Sequence, residues 1–186
     1  MQRHSLVWFD AHLRQRGVLA AGEQIRLPLE TEWERAAAYP AAAARPAQRR
    51  DYPWGALTSP AASADALLAQ RLGAQADTAA TPAGPANTKE TGINKPSVVG
   101  LFPDGAADCG AEDMVGNVWE WCASVYQPYP LPDDLAPWDG QSRHSLVLRG
   151  GSFYSSLTTA RCGARGVNRF DYDRRDGFRL VRSFSA

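Results

Sequence analysis

A chain of 186 residues, 44% hydrophobic and 22% charged, is long enough for one domain with a proper core and short for two. Its formal net charge of +0 gives no bias toward nucleic acid or an anionic membrane, and no apolar run approaches the ~18 residues of a membrane span. Three cysteines, Cys109, Cys122 and Cys162, are too few and too odd in number for a disulfide framework, and none has zinc-site spacing.

The opening stretch, MQRHSLVWFDAHLRQRG, carries Asp10, His12 and Arg14 where a signal peptide needs an apolar run, so a cytoplasmic protein is expected. Residues 5–16 are predicted as a helix. Leu6, Phe9 and Leu13 share one face, Arg14 and Arg16 lie in the last turn, and Gly17 stops it. EQIRLP follows as a short strand closed by Pro28, and LETEWERAAA starts a second helix with Glu30, Glu32 and Glu34 near its positive end. From residue 39 to 86 the chain is rich in Ala and Pro, broken by DYPWG, with one short helix predicted at SADALLAQRLG. A surface insertion inside a single domain spanning 1–186 is expected there. Beyond it, short strands alternate with Gly, Pro and Asn turns and no long helix follows residue 75, which gives an irregular α+β class.

One short stretch, GNVWEW at residues 116–121, sets Glu120 between Trp119 and Trp121. A buried carboxylate is costly unless paired. Glu120 therefore faces water, or faces inward and binds a cation, or forms a paired core carboxylate.

Taken in order, RLPLETEWERAA, YPWG, ANTKETGI, DMVGNVWEW, LRGGSF and GFRLV resemble the formylglycine-generating enzyme family, the sulfatase-modifying factor domains, from about Trp8 to Arg182. The resemblance implies a C-type-lectin-like fold with two N-terminal helices, lacking the family's opening hairpin. It also implies structural calcium at two places. Asp113 and Glu120 would supply side-chain oxygens and Gly116 and Val118 carbonyls at the first, which suits an ion taking six to eight oxygens. Asn87, with the carbonyls of Thr88 and Ile93, would form the second, although Thr91 stands where an acidic side chain is common. Without the opening hairpin, GFRLV is expected to lose a strand neighbour, and an upstream fragment or partner chain is one way to supply it.

The family's oxidase holds Cu(I) on two thiolates just after the Gly-Gly-Ser turn and converts a substrate cysteine to formylglycine. Here those positions fall at Ser155 and near Leu157, so copper and that activity are not expected. Cys162 matches a family cysteine whose partner position holds Ala36 and Ala37, and is expected to be a buried free thiol. The iron-dependent sulfoxide synthases, a second enzyme branch, take their histidines from another domain. His4 and His12 are eight residues apart and share no helix face suited to one metal.

What remains is a surface. Residues 147–182 are the expected C-terminal binding segment; in the family the part matching Phe153–Asp176 lines the substrate groove, and it also resembles the variable segment of diversity-generating retroelement proteins. Tyr154, Ser155, Ser156, Leu157, Thr158, Thr159, Asn168, Phe170 and Tyr172 are the candidate ligand contacts, together with Asp171 and Asp173. All but Leu157 are types reachable from an asparagine codon by changing adenines. Mixed Tyr and Ser suit adaptable recognition of a protein or small ligand. The interleaved arginines and aspartates of 161–182 are expected to pair on a solvated surface, with no pattern for nucleic acid.

Overall fold

The computed structural model describes residues 3–41, 48–55, 85–132, 137–138, 144–168 and 173–184, with side chains from Trp8 onward and without that of Asn168. The first helix, α1 (Arg3–Gln15), ends as predicted: Gly17 takes a left-handed φ of 68°, and the Val18 N–H turns back to the Leu13 carbonyl at 2.9 Å. β1 (Glu23–Arg26) follows, then α2 (Glu30–Ala38). At its start, Glu32 accepts the Leu29 N–H at 2.8 Å, half of a capping box, while Leu29 offers no oxygen for the other half. α2 lays Trp33, Ala37 and Ala38 into the core against β2 (Trp119–Val125) and β3 (Leu146–Arg149).

Two sheets complete the fold. β4 (Arg165–Asn168), β3, β2 and β5 (Asp176–Gly177) form a four-stranded sheet in the order β4-β3-β2-β5, antiparallel except for the short parallel β2–β5 pair. β1 pairs antiparallel with β6 (Val181–Phe184), from Glu23 opposite Phe184 to Arg26 opposite Val181. The C-terminal strand thus has a neighbour within the chain. The outer edge of β1 is covered as well: Asp10 of α1 accepts the Ile25 N–H at 3.1 Å, and Arg14 donates to the Glu23 carbonyl. An i,i+4 ion pair on a helix occupies the hydrogen-bonding row that a further strand would use.

Short 3₁₀ turns at Lys89–Thr91 and Pro103–Gly105 are the other regular elements among the described residues. Of the predicted insertion at 39–86, the helix expected at residues 63–73 lies outside the described residues. Its DYPWG piece packs inward at its centre. Tyr52 and Pro53 are buried, Tyr52 and Gly55 exchange backbone hydrogen bonds, and the Tyr52 and Trp54 rings stack 5.1 Å apart. An aromatic pair in a tight turn fills the core beside Cys162, whose N–H binds the Asp51 carbonyl at 2.8 Å.

Candidate functional site

The loop between β3 and β4 carries most of the candidate contacts. It opens on Gly150 and Gly151, with φ of 90° and 77°, and at Gly151 a Cβ would stand 2.6 Å from that of Ala160. Only glycine allows this sharp double turn and the close approach of the loop's two arms. Beyond it the chain is tied at nearly every residue. Phe153 is buried, with its N–H on the Asn117 carbonyl at 2.9 Å. Ser155 Oγ accepts the Ser152 N–H at 3.0 Å, and the Ser155 carbonyl accepts the Lys89 N–H at 3.0 Å. Leu157 is buried; its N–H meets the Glu90 carboxylate at 3.0 and 3.1 Å, and its carbonyl accepts the Tyr52 hydroxyl at 3.0 Å.

Ser155, where the resemblance puts the first thiolate, is thus a hydroxyl engaged in the loop's own scaffolding, and Leu157, near the second, is a buried aliphatic side chain. What the loop turns outward is different. Tyr154, Thr158 and Thr159 are exposed, and Ser156 Oγ lies 2.9 Å from Thr158 Oγ1 and 3.0 Å from Thr159 Oγ1. Arg174 reaches across from the segment before β5: it donates to the Tyr154 hydroxyl at 2.7 Å, with its guanidinium carbon 5.3 Å from the ring centroid. Its neighbour Arg175 is closed by Asp173, whose carboxyl it holds down at about 2. Of the remaining candidates, Asn168 lies in β4, with its backbone opposite Leu146. Phe170, Asp171 and Tyr172 lie outside the described residues.

Beneath the loop runs a buried ionic chain. Glu30, at the start of α2, receives Arg165 at 2.6 and 2.8 Å, while Arg165 also lies over the rings of Tyr126 and Tyr129 at 4.6 and 4.3 Å. Arg149, wholly buried over Trp33, pairs with Glu34 and donates to the Ala164 carbonyl at 2.9 Å. Charges so desolvated are costly unless closely paired. Here their pairing fixes both strands that carry the loop to α2. So the arginines of 161–182 divide: Arg175 pairs on the surface as expected, whereas Arg165 and Arg179 are drawn to buried glutamates.

Glu120 faces inward. β2 alternates, with Glu120, Cys122 and Ser124 buried and the two tryptophans on the other side. Trp33 Nε1 donates to Glu120 at 2.6 Å, and Arg179 grips both carboxylate oxygens at 2.5 and 2.6 Å. Asp113 lies close by, in a left-handed conformation with φ of 55°. One of its oxygens accepts the Gly100 N–H at 3.0 Å; the other is buried with no hydrogen-bond partner, and burial pushes its carboxyl up. A buried, unpartnered carboxylate oxygen fits a cation. Glu120, by contrast, is a paired core carboxylate, its charge met by Arg179. Of the residues named for calcium, with Gly116 and Val118, only Asp113 has a carboxylate oxygen left open, and Glu120 would join it only by giving up part of its hold on Arg179.

The second set does not fit one. Asn87 and Thr88 are buried, but their oxygens face the Thr91 hydroxyl, and Ile93 turns its N–H to that hydroxyl at 3.4 Å. Among the described residues no three His, Cys, Asp or Glu side chains gather into a metal-binding group. Sequence reasoning missed Glu90, Arg174, Arg179 and Tyr52 as members of these arrangements. Each lies far in sequence from the group it meets.

Compared with known proteins, residues 7–184 match the sulfatase-modifying factor enzyme 1-like domain. Hercynine oxygenase of Mycolicibacterium thermoresistibile is 37% identical over 145 residues, 72% of this chain and 26% of the relative. The inactive C-alpha-formylglycine-generating enzyme 2 of Mus musculus is 35% identical over 121 residues, 65% of this chain and 31% of the relative. The chain thus spans less than a third of either protein. Among solved structures, Treponema denticola variable protein 1 superposes with a TM-score of 0.53 at 21% identity, over 88% of this chain and 49% of that one. The C-type-lectin-like α+β fold is the expected one, and with a match over nearly its whole length the chain belongs to the sulfatase-modifying factor enzyme 1-like domain family.

Proposed function

We propose that this domain is a binding module on a formylglycine-generating-enzyme-like scaffold, presenting Tyr154, Ser156, Thr158, Thr159 and Arg174 to a protein or small ligand. The observation that carries this is the loop after Gly150-Gly151. Ser155 and Leu157, at or near the places where the resemblance puts the two thiolates, are both locked into the loop by their backbone and side-chain bonds. Without thiolates there is no ligand set for Cu(I). A rigid loop also suits binding, since little ordering entropy is lost when a ligand arrives. Structural calcium on Asp113, Gly116, Val118 and Glu120 belongs to the same proposal, as does variation of the face in the manner of a retroelement variable protein.

Copper-loaded protein incubated with cysteine peptides tests the reading: no formylglycine is expected, and turnover overturns it. DNA flanking the gene tests the retroelement part. A near-copy of codons 147–182 differing only at adenines is expected, and its absence removes that part alone.

A second reading comes from the 37% identity to hercynine oxygenase, of which this chain covers 26%: the domain contributes its face to a larger oxygenase. Calorimetry with hercynine separates the two. Binding that weakens in Tyr154→Ala and Thr158→Ala favours the oxygenase, and no heat favours an unrelated ligand.

A further inference from the structure

We propose that the turn from Asn87 to Ser97 is a metal-independent clamp, closed by the Thr91 hydroxyl, which positions the β3–β4 loop through Glu90. Thr91 Oγ1 lies 2.8 Å from the Thr88 carbonyl and 3.2 Å from Asn87 Oδ1, and it takes the Ile93 N–H at 3.4 Å. A hydroxyl has one hydrogen to give and two lone pairs. It thus satisfies one of the two oxygens at a time and accepts from Ile93. The oxygens that would turn toward a cation instead turn toward a neutral side chain of the same turn.

The rest of the turn closes in the same way. The Asn87 amide donates to the Lys95 carbonyl at 3.0 Å and to Ser97 Oγ at 3.2 Å, and Asn117 Oδ1 accepts the Ser97 N–H at 2.9 Å. The Asn117 N–H in turn binds the Asn87 carbonyl at 2.7 Å. Two buried amides therefore hold both ends of the turn.

Charge points the same way. Calcium wants six to eight oxygens, usually with carboxylates among them. Residues 85–97 hold one carboxylate, Glu90, against Lys89 and Lys95, a net +1 (two minus one). Glu90 is already committed: its two oxygens accept the Leu157 N–H at 3.0 and 3.1 Å, and one also accepts the Thr88 hydroxyl at 2.7 Å. The carboxylate of the turn thus serves the β3–β4 loop. Lys89, in the same 3₁₀ turn, adds its N–H to the Ser155 carbonyl. Thr91 closes this turn from the opposite end, its N–H on the Thr88 carbonyl at 3.1 Å, and so acts on the loop as a positioning residue.

Hydrogen exchange read by mass spectrometry tests this, using peptides covering 87–97 and 153–158. In calcium-free buffer, Thr91→Val, which keeps the shape and loses the hydroxyl, is expected to speed exchange in both peptides about five- to tenfold, as loss of one net hydrogen bond implies. Thr91→Ser is expected to stay near wild type, and peptides from β2 and β3 report that the fold persists. In Asp113→Asn protein, where the first site cannot contribute, calcium and EGTA should give the same exchange over 87–97. Unchanged exchange in Thr91→Val, or faster exchange on chelation in Asp113→Asn, overturns the clamp. The Val and Ser comparison decides by itself should Asp113→Asn fail to fold.

Discussion

Cys162 and Cys122 lie at the centre of the core, and both thiols are buried and free. Cys162 Sγ donates to the Ala37 carbonyl at 3.4 Å, so the position where a partner cysteine would stand is indeed adjacent, but holds alanine. Burial pushes the Cys162 thiol up to about 12 and raises that of Cys122 as well. Thiolate is the nucleophile, so neither sulfur reacts at neutral pH while the fold holds. Cys109, by contrast, is exposed. Iodoacetamide should therefore add one carbamidomethyl group to the native protein, on Cys109, and three after denaturation, as read by intact mass and peptide mapping. Native labelling at Cys162 would show that the core around Ala37 opens.

At the scale of elements, the start of α2 lacks half of its cap. Leu29 has the extended backbone of an N-cap, with φ of −68° and ψ of 155°, but no oxygen for the N–H of Glu32. Leu29→Thr should complete the capping box and add up to about 1 kcal/mol to unfolding in urea, less the apolar contact that leucine loses. A loss of stability would mean that leucine packing outweighs the cap.

The edge cover of β1 gives a pH dependence. The Ile25 N–H first, then Arg14, hold the Asp10 carboxyl below its usual range. Its folded value is depressed, so its stabilising effect is full above the unfolded carboxylate range and is lost as pH falls through the folded value. The Ile25 amide should lose protection on acidification below the ordinary aspartate range, and Asp10→Asn should remove that response. An amide that stays equally protected at low pH would mean Asp10 does not cover the edge.

Both helices and β1 were legible in the sequence because their signals are local: periodic apolar residues, Gly17 and Pro28 as stops, and the glutamates before Trp33, whereas the face to which Glu120 turns was not. The pairs that give the site its character were not. Arg179 and Glu120 are 59 residues apart, and Arg165 and Glu30 are 135. A charge carries no local mark of a partner at that distance. DYPWG has turn composition, yet its Tyr52 is anchored by Leu157, 105 residues on. That Ser155 stands three residues after Ser152, where the resemblance puts its first thiolate, can be read from spacing alone.

Over the whole molecule, the two ends of the chain close on each other through β1 and β6, and Arg179, just ahead of β6, ties that closure to Glu120 in the central sheet. Asp113 lies beside this junction, with one buried oxygen unpartnered. An ion bound there would hold the folded state and not the unfolded chain, where Asp113 is no longer buried beside Glu120. Binding to the folded form alone stabilises by mass action, about 2.7 kcal/mol at a hundredfold excess over Kd. For a chain of this size that corresponds to a rise in Tm of about 5–10 °C. Calcium should therefore raise Tm and EGTA reverse it, whereas magnesium, which demands a smaller octahedral shell, should do much less. Asp113→Asn keeps an acceptor for the Gly100 N–H but loses the charge, and should abolish the calcium response. A rise in Tm that survives Asp113→Asn would place the ion elsewhere, and no rise in wild type would leave Arg179 as the cation that compensates Glu120.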